Sequence, residues 1–285
     1  MTRKSLFYFA LVGLLWGIPY LLMKVAVEDF PPAAVVAGRT LIGASILIPI
    51  AIYRKKFGGA VLGFKYVAFY ALMEMIGPWI LITTAEQKIN SGLAGLLVST
   101  VPIFATIITS LRGDHSVWQF KRILGIVVGF IGLILVVGIE SLSGNSDPLS
   151  IAMVIVASMG YAYAVIMVTT NLPLVDGIAI NGLAMAITTV FWAPVAIAQW
   201  PSSISMNSAL SLTALGIFST ALAFILFFKV MAEIGPARSS LVTYLNTAIA
   251  VLLGVIILRE PLTVGIIVGL PLVLVGSYLA SKKTA

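Results

Sequence analysis

The chain is a succession of apolar segments of about 20 residues each, separated by breaks of a few residues, and that pattern commits it to crossing a lipid bilayer repeatedly. A helix of such length spans about 30 Å of hydrocarbon, where an irregular backbone would leave its polar groups without partners. Ten transmembrane helices are predicted, at 5–26, 33–53, 64–85, 91–111, 121–139, 150–169, 178–199, 209–231, 236–258 and 263–281. The breaks carry turn and cap chemistry: Pro31-Pro32, Gly58-Gly59, Asn90-Ser91-Gly92, the run from Gly144 to Pro148, Pro201-Ser202-Ser203 and Gly235-Pro236. Arg3 and Lys4 precede the first segment as in a secretory signal, but no A-x-A cleavage site follows, so it reads as a spanning helix. No connection exceeds about a dozen residues, which leaves no room for an extramembrane domain. With 60% hydrophobic and 9% charged residues, the chain cannot clothe a water-soluble surface, and soluble enzymes are excluded.

The net charge of +7 does not mark a nucleic-acid partner, because the basic residues fall in short clusters between apolar runs. They read as topology signals in a bilayer. If the N-terminus is cytoplasmic, that side carries Arg3, Lys4, Arg54, Lys55, Lys56, Lys65, Arg112, Lys121, Arg122, Lys229, Arg238, Lys282 and Lys283, and the other side only Lys24, Lys88 and Arg259. The bias predicts a multi-pass inner (plasma) membrane protein with both termini cytoplasmic.

The chain resembles itself at a shift of about 145 residues. Trp16 falls on Tyr161, Lys88-Ile89-Asn90-Ser91 on Glu233-Ile234-Gly235-Pro236, and Pro102 on Thr247; Gly125 and Gly132 then match Gly269 and Gly276 at a shift of 144. Two units follow, 1–145 and 146–285, each of five spans. An odd number inserts the second unit upside down relative to the first, the arrangement that supports alternating access around a site at the repeat interface.

Three stretches carry a resemblance to a known family: LLWGIPYLLMKVAVEDFPPAAVVAGRTLIGA (14–44), NSGLAGLLVSTVPIFATIIT (90–109) and SLVTYLNTAIAVLLGVIILREPLTVGIIVGLPLVLVGSYLA (239–280). They resemble EamA-type carriers of the drug/metabolite transporter superfamily, and within it most the YddG-type exporters of amino acids, aromatic ones included. The family's first-repeat arginine matches Arg39, its helix-four proline Pro102 and its helix-nine exit glutamate Glu260. The chain departs from the pattern at Thr247 and Asn246, where the family has proline and glutamate, and at His115, the first-repeat counterpart of Glu260. The resemblance implies an all-α carrier with inverted repeats.

Helical spacing then nominates a substrate cavity. Gly92, Gly95, Ser99, Pro102, Thr106 and Thr109 share one face of the fourth span; Gly13, Gly17, Tyr20 and Lys24 form a stripe on the first, with Trp16 at its margin. The ninth contributes Ser239, Thr243, Asn246 and Ala250 beside Tyr244, the sixth Ser158, Tyr161 and Tyr163, and the third Trp79 beside Pro78. Such stripes serve close packing or line a cavity. Deep aromatics either pack or stack on a substrate, while Phe7, Tyr8, Tyr53, Trp118 and Trp200 read as interfacial belts. Gly125-xxx-Gly129 and Gly265-xxx-Gly269 read as scaffold faces or the faces of a homodimer.

Arg39 and Glu74 are the charges placed well inside spans, and an intramembrane ionisable group is a functional-site hypothesis by default. Arg39 can snorkel, bind freed carbonyls or bind ligand. Glu74 is either a neutral hydrogen-bonding strut or a coupling residue that exchanges a proton or senses a substrate amine. Glu260 and Arg259 read as a solvated turn, and Asp114 and His115 as an exposed loop.

Zero cysteines and one histidine leave no thiolate or histidine-rich metal site, and no cofactor is expected. No H-E-x-x-H, G-x-S-x-G or Walker A motif supports an intramembrane enzyme or an ATP-driven pump. With Arg39 as the single buried cation, phosphate-bearing substrates are disfavoured. The expectation is a secondary carrier exporting small metabolites, amino acids foremost, whose substrate cavity includes Trp16, Tyr20, Arg39, Glu74, Trp79, Ser99, Pro102, Tyr161, Tyr163, Thr243, Tyr244 and Asn246. Glu74 beside aromatics keeps cationic drugs as the alternative cargo.

Overall fold

The structure is a computed structural model describing residues 3–113, 119–142, 147–234, 239 and 241–281. The loop around Asp114, His115 and Trp118, and Gly235-Pro236, Arg238 and Lys282-Lys283, lie outside the described residues. Among the described residues every regular element is helical. We label the principal helices α1 (Arg3–Ala26), α2 (Pro32–Tyr53), α3 (Phe64–Ala85), α4 (Ser91–Leu111), α5 (Phe120–Leu142), α6 (Pro148–Asn171), α7 (Gly177–Ala198), α8 (Met206–Ile234), α9 (Val242–Ile256) and α10 (Val264–Ser281). A short helix, Phe57–Leu62, joins α2 to α3. Seven of these, α1 to α4 and α6 to α8, are long and apolar enough to cross a membrane, and α9 and Val264–Ala280 are shorter apolar helices.

Caps set where helices begin. The Asp147 carboxylate accepts from the Ser150 amide (3.0 Å) and hydroxyl (2.8 Å) to open α6, which holds it below the ordinary carboxylate range. Asp176 opens α7 by accepting from the amides of Ile178 and Ala179, and Ser205 opens α8 by accepting from that of Ser208. Glu260 supplies a cap from a distant part of the chain. Its carboxylate accepts from the Ser91 amide (2.9 Å) and hydroxyl (2.7 Å) and from the Gly92 amide (3.4 Å), placing negative charge on the N-terminus of α4. The solvated turn expected at Glu260 is therefore corrected: the positive φ of 54° at Arg259 turns the chain back so that the next carboxylate reaches α4.

Three long helices are interrupted. α3 passes through a π turn at Leu72–Ile76, α8 through one at Leu215–Leu222, and α4 breaks between Ser91–Val98 and Val101–Leu111. At the break Pro102 brings no N–H, and local hydroxyls take over carbonyls: Ser99 donates to Leu96, Thr100 to Leu97, and Ser277 of α10 to the Ser99 carbonyl.

Packing is organised in pairs that are mostly distant in sequence: α1 with α9, α2 with α7, α3 with α6, α4 with α9 and α6, α5 with α10, and α8 with α1 and α2. Small residues set these seams. Gly276 lies against the backbone of Gly125 and Gly129, and Gly132 against Leu272 and Val273, so α5 and α10 approach too closely for a Cβ on Gly276. These glycines face one another within the chain. Gly92 and Gly95 likewise face Val251 and Ala250 of α9, which makes the small-residue stripe of α4 a packing face.

Candidate functional site

The polar centre of the bundle is built on Arg39. α2 carries this residue on its buried side, where the side chain is 6% exposed. Its Nε and Nη2 donate to Thr220 Oγ1 at 3.2 and 3.1 Å, Nη1 lies 3.6 Å from Met23 Sδ, and the guanidinium sits 3.9 Å above the Trp79 ring. Four helices meet here: α1 through Met23 and Tyr20, α2 through Arg39, α3 through Trp79 and Thr83, and α8 through Thr220. Thr83 donates to Met23 Sδ (3.5 Å), and Tyr20 lies within electrostatic reach of Arg39. α6 adds Tyr161, which lies near Trp79, Arg39 and Glu74. Among the described residues no carboxylate comes within 4.0 Å of the Arg39 guanidinium. A cation–π contact and one hydroxyl replace only part of the water that a buried guanidinium gives up.

The π turns explain how this centre is assembled. One extra residue in a turn rotates everything beyond it by about 100°, so side chains on either side of the bulge face different neighbours. In α8 the turn holds Ser219 and Thr220 in the interior; Thr220 meets Arg39, and Ser219 Oγ is buried without a hydrogen-bond partner. In α3 it carries Glu74, whose Oε2 is also buried and unpartnered. Around Glu74 lie Tyr161 and Tyr70, the latter donating to Asn181 Oδ1 of α7 at 3.1 Å. Trp192 of the same helix donates its indole N–H to the Ile76 carbonyl (3.1 Å).

Of the residues nominated from sequence, Tyr20, Arg39, Glu74, Trp79 and Tyr161 are brought together. Trp16 packs instead against Phe224 and Phe227, at ring-centre distances of 5.6 and 4.6 Å. Tyr163 is on the outside of the bundle, 37% exposed and edge-on to Phe69. Ser99 and Pro102 belong to the α4 break. Tyr244 stands edge-on to Tyr278, the Thr243 carbonyl and Asn246 Oδ1 both accept from Thr247, and none of these contacts reaches Arg39. Arg39 does not bind freed carbonyls; a threonine hydroxyl takes that place.

The ends of the bundle are tied as well. At the end carrying Lys24, its ammonium donates to the carbonyls of Glu86 (2.6 Å) and Ile89 (2.8 Å), Glu260 caps α4, and Asp29 accepts from the Ser205 amide (2.8 Å). At the opposite end the Ser5 hydroxyl donates to Glu233 (2.6 Å).

The comparisons with known proteins agree with this architecture. A crystal structure superposes with a TM-score of 0.66 over 98% of each chain at 16% identity, so the fold is shared. The transporter YoaV of Bacillus subtilis is 27% identical over 94% of this chain and 93% of its own. The inner membrane transporter YedA of Escherichia coli K12 is 26% identical over 95% and 90%. Protein PagO of Salmonella typhimurium is 32% identical over 44% and 41%. The profile of the EamA-like transporter family matches twice, at 3–138 and at 148–282. With nearly the whole chain matched, this multi-pass, all-helical membrane protein belongs to the EamA-like transporter family.

Proposed function

We propose that the protein is a secondary carrier that exports amino acids with apolar or aromatic side chains by alternating access across the inner membrane, as the resemblance to YddG-type exporters implies. The observation that carries this reading is the buried Arg39 guanidinium, held among aromatics with no carboxylate within ion-pair distance among the described residues. A substrate carboxylate is the ligand such a site lacks. The planar fork of Arg39 donates to it in bidentate fashion, Trp79, Tyr20 and Tyr161 offer ring surface to an apolar side chain, and the unpartnered oxygen of Glu74 suits an ammonium group. Glu74 also keeps organic cations as the second reading, since a cation without a carboxylate needs the acid and not the arginine.

Two inverted units, 1–145 and 146–285, provide the motion. The twofold match of the family profile supports them, as do the π turns at corresponding places in α3 and α8 and the helix pairing, in which α1 with α9 mirrors α6 with α4. The excess of basic residues argues for cytoplasmic termini. Reporter fusions at Ser143 and Lys282 are then expected on opposite sides of the membrane; the same side for both refutes the inversion. A homodimer remains a proposal, and Gly125, Gly129 and Gly269 do not supply its surface, because they are packed within the chain.

Counterflow in proteoliposomes tests the substrate class. Vesicles preloaded with phenylalanine or leucine are expected to accumulate the labelled amino acid, with competition by apolar and aromatic amino acids. Competition by quaternary amines alone favours the second reading.

A further inference from the structure

Glu86, one residue beyond the end of α3, is a buried charge that the substrate site does not use. The residue is 0% exposed, and neither carboxylate oxygen has a hydrogen-bond partner. Leaving an ionised carboxylate in that state is costly, so the group is held neutral or the seam around it opens. The seam is well defined. Lys24 of α1 is anchored on the carbonyls of Glu86 and Ile89, and Glu260, arriving from beyond α9, grips Ser91 and Gly92 at the start of α4. Beside it a cavity of about 260 Å³ is lined by Lys24, Val27, Glu28, Glu86 and Gln87. That space lies between Glu86 and the solution at this end of the bundle.

We propose that Glu86 is a proton-binding site, loaded through this cavity, whose neutral form keeps the outer seam shut and whose ionised form releases it. This rests on the carrier reading and orientation above, which put the Lys24 end on the outside. Loading is simple acid–base chemistry: a proton passes from cavity water to a Glu86 carboxylate oxygen, and the neutral acid stays buried. Loss of the proton leaves a buried anion beside a second one, Glu260, with neither of its oxygens hydrogen-bonded and only the Lys24 charge to offset it. Outward movement of the 85–90 turn then hydrates it and breaks the Lys24 and Glu260 links. The proton leaves to the same cavity water, so binding and release at Glu86 gate the outer seam according to the pH on that side and carry no proton across the membrane.

The charged and titratable groups facing Glu86 are Tyr20 and Lys24 from α1, Glu28 just after it, and Glu260; Lys88 on its own turn is paired with Asp147 at 3.9 Å. Burial pushes the Glu86 carboxyl well above the ordinary carboxylate range, Lys24 opposes the shift and Glu260 reinforces it. A group raised in this way stabilises the fold below its unfolded-state value, and that stabilisation disappears as pH rises through its folded-state value.

The test uses the full-length protein in two assays. In the absence of any substrate, wild-type Tm is expected to fall as pH is raised from about 5 to 8, and Glu86→Gln to remove that part of the slope. In proteoliposomes, wild-type phenylalanine counterflow is expected to run at least threefold faster with pH 8 than with pH 5 on the Lys24 side, and Glu86→Gln to keep counterflow while losing that dependence. Lys24→Met provides a second check, moving the midpoint of the wild-type pH dependence up by about one unit through loss of the opposing charge. Identical Tm profiles for wild type and Glu86→Gln overturn the proton site. Retention by Glu86→Gln of the dependence on pH at the Lys24 side overturns its role as the outer gate. If the wild type shows no amino-acid counterflow, the substrate reading fails, while the Tm comparison still decides whether Glu86 binds the proton.

Discussion

Arg39→Gln is expected to raise the KM for amino-acid transport by about 100-fold while leaving the folded protein at least as stable as the wild type. The two halves of this result have one origin. A guanidinium removed from water and given a hydroxyl, a sulfur and an aromatic ring has lost more solvation than those partners return, so replacing it by a neutral amide relieves the fold. The substrate then loses the charge that met its carboxylate, an interaction worth about 2–3 kcal/mol in a desolvated site, which corresponds to roughly 30- to 150-fold in affinity. Arg39→Lys keeps the charge without the planar fork or the stacking on Trp79 and is expected to fall between, near tenfold. Transport kinetics beside thermal unfolding in detergent separate the alternatives. A structural arginine gives the opposite pattern, a lower Tm with KM unchanged in the surviving protein, and that result removes Arg39 from the binding site.

The fold is legible in the sequence to the extent that bilayer physics reduces to segment length and hydropathy. The helix limits observed for α2, α4 and α7 lie within a residue or so of those read from apolar runs. α9, expected over 236–258, is described only over Val242–Ile256. That Arg39 is buried is legible for a related reason: a cation in the middle of an apolar run stands out, although snorkelling or a structural role accounts for it as readily as a ligand does. Its partner Thr220 is not. Residues before and after a π turn do not share one helical face, so counting by threes and fours across Leu215–Leu222 assigns the wrong neighbours. Tyr163 shows the complementary failure. In a soluble helix an outward aromatic breaks the polar face and reveals itself; in a lipid-facing helix both sides are apolar, and α6 offers no phase to separate Tyr161 from Tyr163. Glu86 and Glu260 look like boundary residues in the sequence because their partners, Lys24 and Ser91, come from other helices.

Glu74→Gln is expected to erase most of the carrier's preference for an amino acid over the same molecule without its amine. Three observations set up that expectation: the residue stands at a π turn halfway along α3, its Oε2 is buried without a partner, and two tyrosines, Tyr70 and Tyr161, lie near it. An ammonium group that reaches Glu74 meets an unpartnered carboxyl oxygen, and an analogue lacking the amine leaves that carboxyl as it was. Discrimination of this kind is large because the cost of an unpaired buried carboxyl adds to the missing ammonium–carboxylate attraction, about 2–3 kcal/mol together, or 30- to 150-fold. Competition of labelled phenylalanine counterflow by phenylalanine and by 3-phenylpropionate measures it directly. The ratio of the two inhibition constants is expected to fall at least tenfold in Glu74→Gln, because the amide retains the size and hydrogen-bonding capacity of the acid but not its charge. The pH dependence of the variant should follow the wild type, since the titrating group is assigned to Glu86 at the outer seam. An unchanged ratio makes Glu74 a strut, and a flattened pH profile makes it the titrating group in place of Glu86.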